Sequence, residues 1–245
     1  MTAHLLAIDA STAVVEIALV CAGGVHESTL AGGAQASQHL LPAVADLCGR
    51  SGCALSSLDA LAFGAGPGAF TGLRTACSVV QGLAFGLGRP TLALDTLAVV
   101  AESAALLGAP DRLWVALDAR MGEVYAAPMQ RVAPGRWLSL QPSSLLTPQA
   151  LLDAMTTTDF ADVLAGPAVS AYPLLAAGSG RWPLARPGGV ALARVAQAAW
   201  LGGQARPAQD ALPLYGRDKV AQTSAERMAA RAQGRAAAPA VPLPG

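Results

Sequence analysis

Residues 64–74 read GAGPGAFTGLR, a glycine-rich bend between an apolar run and a long helical pattern. Such a bend exposes several backbone N–H groups with few side chains in the way. Ahead of a helix N-terminus they can form a nest for an anion, reinforced by the helix dipole. Gly66, Pro67, Gly68, Thr71, Gly72 and Arg74 are the candidate residues. No Lys-Ser/Thr pair follows, so this is not the P-loop, and glycines at 64, 66, 68 and 72 do not give G-x-G-x-x-G. The same residues suit a structural use, with Gly66-Pro67-Gly68 as a tight bend and Gly72 as a point of close helix packing. Two acidic turns extend the set. Asp9 ends the first apolar run and precedes Ser11 and Thr12, which could orient a metal–phosphate group or form an ordinary turn. Asp118, Arg120, Gly122 and Glu123 gather in a second turn, DARMGEVY, as a catalytic set or a salt-bridged hairpin. No Ser-His-Asp, Cys-His or metal-ligand pattern is visible, and an enzyme built from these residues alone would be poorly equipped.

The elements that must position these residues follow from periodicity. Residues 4–9 read as a buried strand, 13–21 as an alternating strand and 25–30 as a third, which makes a meander with Asp9 at its first turn. A helix is expected over 37–49, with Ser37 as its cap, Pro42 near its opening turns and Gly49 or Gly52 near its stop. Strand 58–64, helix 71–87, strand 91–95 and helix 96–107 come next. A meander followed by strand, helix, strand, helix implies a mixed sheet covered by helices. The opening then recurs: LLAIDASTAVVEIAL from residue 5 is echoed by LWVALDARMGEVYAA from residue 113, with Asp9 opposite Asp118. A third strand near 137–140 and a helix begun by Thr147 and Pro148 follow this second copy. A strand in DVLAG and a helix over 189–203 complete it, so a duplicated half is expected. The division expected is 1–108 for a first lobe and 109–223 for a smaller second lobe, whose helix 189–203 packs back on the first. The Ala/Pro-rich stretch 224–245 is expected to be a disordered tail.

Composition narrows the function classes. The 245 residues are 53% hydrophobic and 13% charged, with a formal net charge of zero. Without a basic field, direct and unassisted binding of nucleic acid is disfavoured. Four cysteines at 21, 48, 53 and 77 form no C-x-x-C pair, and the three histidines are not spaced with them as a metal site. Free thiols in a reducing cytoplasm are the expectation. Asp9 and Glu16 interrupt the apolar N-terminal stretch, which lacks a basic n-region and reads as neither signal peptide nor membrane span.

LLAIDAST, FGAGPGAFTGLR, DARMGEVY and PLYGRDKVAQT, in this order and spacing, resemble the TsaB (YeaZ) family over residues 4 to 223. The resemblance implies an α/β fold of the actin/Hsp70/sugar-kinase-like (ribonuclease H-like) type, with two duplicated lobes, each a mixed sheet flanked by helices. It also implies a cytoplasmic, non-catalytic subunit needed for N6-threonylcarbamoylation of the adenosine next to the anticodon in ANN-decoding tRNAs. The family's catalytic paralogue, TsaD, carries a metal-binding His-x-x-x-His where Thr96 and Val100 stand here. A tightly bound cofactor is therefore not expected on this chain, and ATP and a metal belong to the partner subunits. The partners implied are TsaD, the P-loop ATPase TsaE, and tRNA through the complex only, with no membrane. Helices 37–49 and 71–87 are the implied contact with TsaD, or with a second copy when the chain is alone. Leu41, Val44, Ala45, Cys48, Leu73, Ala76, Cys77, Val80 and Leu83 are the expected interface residues. Two other classes stay open: an active ATPase or small-molecule kinase of the same fold, and a protease acting on the paralogue.

Overall fold

The computed structural model describes residues 3–33 and 36–214. Strands β1 (Leu5–Asp9), β2 (Val14–Cys21) and β3 (Gly24–Ala31) form the meander, and α1 (Ala36–Ser51) follows. Then come β4 (Ala60–Gly66), α2 (Phe70–Leu87), β5 (Thr91–Asp95) and α3 (Thr96–Leu106). The sheet order is β3-β2-β1-β4-β5, antiparallel within the meander and parallel from β1 through β4 to β5.

The second half repeats this plan. It contains β6 (Arg112–Arg120), β7 (Glu123–Ala133), β8 (Arg136–Ser139), β9 (Ser144–Leu146), α4 (Pro148–Met155) and β10 (Leu164–Ala165). Two short helices, α5 (Ala168–Ala171) and α6 (Pro173–Ala176), precede β11 (Arg181–Trp182) and α7 (Gly189–Leu201). Its sheet runs β8-β7-β6-β10-β11, again antiparallel on one side of the central strand and parallel on the other, with β9 beside β7. The duplication extends beyond strand order. Asp9 ends β1 and Asp118 lies two residues before the end of β6, and each accepts the backbone N–H two residues on, from Ser11 at 2.9 Å and Arg120 at 2.8 Å. Ala65-Gly66-Pro67 and Ala165-Gly166-Pro167 lie at the ends of the equivalent parallel strands, and both glycines sit at positive φ.

Helices cover both faces of each sheet. Alternation along β1 sends Leu6 and Ile8 toward Leu40, Val44 and Leu47 of α1 and Ala76, Val80 and Ala84 of α2. Leu5 and Ala7 face the other way, against Ala191, Leu192, Val195 and Ala196 of α7. The last helix of the chain thus completes the first lobe. On the second sheet, Trp114, Ala116 and Val124 pack with Leu151, Met155 and Leu175. Helix α3 is buried over most of its surface because it is shared: Val99 packs in the first lobe, and Leu97, Val100 and Ala101 pack against Leu113, Val115 and Leu117 of β6.

Helix ends follow local chemistry. Asp95 caps α3 by accepting the Leu97 N–H at 2.8 Å, and Thr147 caps α4 through Ala150 at 3.2 Å, ahead of Pro148. Ser37 is not a cap, because α1 already begins at Ala36. The helix ends at Gly52, which takes φ +68°. The expected tail 224–245 and most of the motif 213–223 lie outside the described residues.

Candidate functional site

A cleft of about 590 Å3 opens between the lobes, over the two acidic turns. Ser11, Thr12, Gly68, Phe70 and Leu73 line it from the first lobe. Leu117, Asp118, Arg120, Tyr125, Pro167 and Arg186 line it from the second half.

The glycines of residues 64–74 serve close packing on the β1–β2 turn. A Cβ on Gly64 would collide with the Asp9 carboxylate, and one on Gly72 with the Ala10 carbonyl oxygen. A Cβ on Gly68 would sit 2.5 Å from Ser11 Cβ. The Ala69 N–H that opens α2 donates to the Ser11 carbonyl at 2.8 Å. The space an anion would need against the middle of the bend is filled by Ala10 and Ser11. Pro67 is buried, the Thr71 carbonyl accepts from Thr75 Oγ1 at 3.0 Å, and Arg74 lies 3.9 Å over the Phe70 ring.

Asp9 lies behind the cleft, 1% exposed. Its Oδ1 accepts from the Ser11 N–H and from Ser11 Oγ at 2.6 Å, and Oδ2 accepts from Thr96 Oγ1 at 3.3 Å. Burial pushes the carboxyl's pKa up, against the lowering effect of these bonds. Thr12 makes a small turn of its own, with Oγ1 accepting the Val14 N–H at 3.4 Å. Thr96 and Val100, at the implied positions of the paralogue's histidines, are both fully buried. Thr96 spends its hydroxyl on Asp9. Among the described residues no group of three or more His, Cys, Asp or Glu side chains could hold a metal.

The second turn is a strained hairpin. Arg120, Met121 and Gly122 take φ of 64°, 57° and 78°, and Ala119 forms a bulge between Asp118 and Arg120. Asp118 pairs with Arg120 at 3.2 Å and accepts from the Tyr172 hydroxyl at 2.9 Å. Arg120 stands opposite Glu123 in the ladder. These contacts account for Asp118 and Arg120 as hairpin residues held to α5–α6 by Tyr172.

Glu16, in sequence only a polar break in an apolar stretch, belongs to the same buried corner as Asp9. It is the cross-strand neighbour of Asp9 and 3% exposed; Oε2 accepts from Thr29 Oγ1 at 2.8 Å, and Oε1 is buried without a hydrogen-bond partner. Burial pushes its pKa up, and Thr29 and Arg186 only partly oppose this. A carboxyl whose folded pKa exceeds its unfolded value of about 4.3 gives its full stabilisation below that value and loses it as pH rises through the folded pKa. Glu16→Gln should therefore gain on the parent in melting temperature between about pH 4 and pH 7. A melting-temperature difference that stays flat across this range would contradict the assignment.

The two expected interface helices divide sharply. Val44 and Cys48 of α1, and Leu73, Ala76, Cys77 and Val80 of α2, are buried within this chain at 8% exposure or less. They form the inward stripe that holds the helices on the first sheet, so they offer no surface to a partner. Leu41 and Ala45 are exposed and Leu83 is half-buried. Phe85, absent from the expected set, is 60% exposed. Three helical glycines accompany it. A Cβ on Gly49, Gly82 or Gly86 would meet nothing within 4 Å. Each costs about 1 kcal/mol of helix propensity relative to alanine, with no internal packing in return.

Two sheets of one strand order, a shared central helix and a cleft over paired acidic turns define a duplicated α/β protein of the actin/Hsp70/sugar-kinase-like class. A family model described as TsaD, tRNA N6-adenosine threonylcarbamoyltransferase, matches residues 22–138. The "tRNA threonylcarbamoyladenosine biosynthesis protein TsaB" of Escherichia coli K12 is 36% identical over 177 residues, 72% of this chain and 77% of that protein. The protein of the same name from Haemophilus influenzae is 39% identical over 128 residues, 52% of this chain and 54% of that protein. Among solved structures, YeaZ from Pseudomonas aeruginosa superimposes with a TM-score of 0.77 at 37% identity, covering 87% of this chain and 99% of that one. The chain belongs to the TsaB (YeaZ) family.

Proposed function

We propose that this chain is a non-catalytic subunit of the machinery that makes threonylcarbamoyladenosine in tRNA. It organises a TsaD-type catalytic paralogue and a TsaE-type ATPase, and meets tRNA only through that complex. Family membership supports the pathway, since relatives carry the name of a tRNA threonylcarbamoyladenosine biosynthesis protein. The scaffold role is supported by what the paired turns lack in reach: Asp9 is tied to Ser11 and Thr96, and the glycine bend is packed against Ala10 and Ser11. ATP and metal are then held by the other subunits. Among the described residues no helix is long and apolar enough to cross a membrane.

The outer face of α1 and α2 is the docking surface in this reading. The observation that carries it is the exposed set Leu41, Ala45 and Phe85 beside glycines that the isolated fold does not use. Small residues let helix backbones approach closely, and burying a Phe and a Leu contributes about 1.5–3 kcal/mol each. The same face closes a homodimer when the chain is alone.

Gly82→Ala separates the two roles of this surface. It should stabilise the isolated monomer by about 1 kcal/mol, read at a concentration too low for the homodimer, while weakening co-purification with the TsaD-type paralogue. Phe85→Glu with Leu41→Glu should abolish both the complex and tRNA modification reconstituted with paralogue, ATPase, ATP and threonylcarbamoyl-adenylate. Full modification without this chain, or by the double variant, would sink the proposal. The competing kinase or ATPase reading draws on the cleft beside Arg120 and Arg186. Calorimetry with Mg-ATP on the isolated chain tests it, and tight binding lost in Asp9→Ala would favour it.

A further inference from the structure

Helix α1 ends in a turn that brings two cysteines together. The Cys53 N–H donates to the Cys48 carbonyl at 3.2 Å and the Gly52 N–H to the Gly49 carbonyl at 3.4 Å, with Gly52 at φ +68°. This nested pair of bonds is a Schellman motif, with Cys48 third from the helix end and Cys53 two places past it. Those are the positions whose side chains meet across the turn, normally as an apolar contact. Here both are thiols, 8% and 6% exposed. His4 and Ser57 lie beside Cys53. Its Sγ lies 4.0 Å from His4 Nδ1 and 3.5 Å from Ser57 Oγ, and the His4–Ser57 contact itself faces solvent.

We propose that Cys48 and Cys53 are a peroxide-sensitive modification site, joining reversibly as a disulfide that staples the last turn of α1 to the chain that follows. The Cys53 N–H to Cys48 carbonyl bond holds the two residues' backbones together across the turn, as a bridge between them requires. Hydrogen peroxide is the oxidant. His4, in the tautomer with Nδ1 unprotonated, takes the Cys53 proton, and the thiolate attacks a peroxide oxygen. The O–O bond breaks and the departing hydroxide is protonated to water, leaving Cys53 as a sulfenic acid. Cys48 then attacks that sulfur; the S–O bond breaks, and its hydroxide leaves as water with the Cys48 proton. Two thiols give up two electrons and two protons, and one peroxide becomes two waters. Burial pushes the Cys48 thiol's pKa up, which disfavours it as the first thiolate to meet peroxide. Entry of peroxide requires only the opening of a helix end, the least costly kind of local unfolding. Cys77 is placed elsewhere, against the Ala211 carbonyl. Cys21 is buried in the same core as the pair and is the competitor to exclude.

Arg50 lies between the two cysteines, so trypsin separates them unless they are joined. The full chain is oxidised with hydrogen peroxide, its remaining thiols are blocked, and it is digested without reductant. The peptide bearing Cys53 should stay linked to the one ending at Arg50, and reductant should release it. Fragmentation of the linked peptides should place the bond at Cys48 and not Cys21, which requires no variant. Cys48→Ala should abolish the link and Cys21→Ala should leave it. Amide exchange at residues 49–53 should slow on oxidation. Unlinked peptides after oxidation, or a bond fragmentation places at Cys21, would overturn the proposal.

Discussion

Glu102→Ala is expected to cost about 3–5 kcal/mol of stability, seen as a lower urea midpoint with an unchanged slope. Glu102 sits in the middle of α3 with none of its surface exposed. Oε1 accepts from Arg131 at 3.2 Å and Arg194 at 3.3 Å, and Oε2 accepts from the Gly135 N–H at 3.0 Å and Trp137 Nε1 at 2.9 Å. One carboxylate thus joins the shared helix, the β7–β8 hairpin and α7. Truncation leaves the Gly135 and Trp137 donors unpaired, and the indole is 8% exposed. Each buried donor left unsatisfied costs about 1–3 kcal/mol. The half-buried Arg131 and Arg194 lose their common counter-ion as well. Glu102→Gln keeps an acceptor but turns its amide hydrogens toward the arginines, so its midpoint should fall between the two. Because α7 closes the first lobe and the hairpin belongs to the second, the loss should be global rather than confined to one half. A change below about 1 kcal/mol would mean the arginines find other partners and the network is not what joins the lobes.

The meander, the long helices and the duplication were legible because each rests on local periodicity or a local turn. Asp9 and Asp118 could be matched by eye since the same short pattern surrounds both. Strands β9 and β11 were not legible, because three and two residues carry no period to read. The Ala-Gly-Pro echo at 65–67 and 165–167 was in plain view, but its meaning depends on both segments ending equivalent parallel strands. Six of the nine expected interface residues face inward, for a physical reason. A helix on a sheet presents one stripe inward, and an apolar residue list cannot say which stripe that is. Val80 and Phe85 look alike in sequence, yet one is buried and the other 60% exposed. The signal that could have found the outer face was the spacing of Gly82 and Gly86, since glycines four apart in a helix demand a packing reason. Glu102 offered a weaker hint, a lone acid in TLAVVAESAAL, but its partners lie 29 to 92 residues away and only the folded chain identifies them.

Gly72→Ala should be as damaging as Gly82→Ala is benign, although both lie in α2 and change by one methyl group. At Gly82 the added carbon meets open space, so helix propensity decides and the isolated chain gains about 1 kcal/mol. At Gly72 it would overlap the Ala10 carbonyl oxygen and come within 2.9 Å of the carbonyl carbon. Backbone cannot turn aside as a flexible side chain can. Ala10 is held besides, between Asp9, with its bonds to Ser11 and Thr96, and the Ser11 carbonyl that receives the Ala69 N–H. Relief requires α2 to move off the β1–β2 turn, which separates Leu73 and Ala76 from the sheet. A loss of about 3 kcal/mol or more is expected, in the range of overpacked core substitutions at their upper end. Thermal melts of the two variants should therefore shift in opposite directions from the parent. If α2 docks the paralogue as proposed, their effect on that complex should have one sign, since Gly72→Ala displaces the helix and Gly82→Ala thickens its outer face. Equal melting temperatures would show that the turn yields to α2, and that the glycine bend is not packed as tightly as its geometry requires.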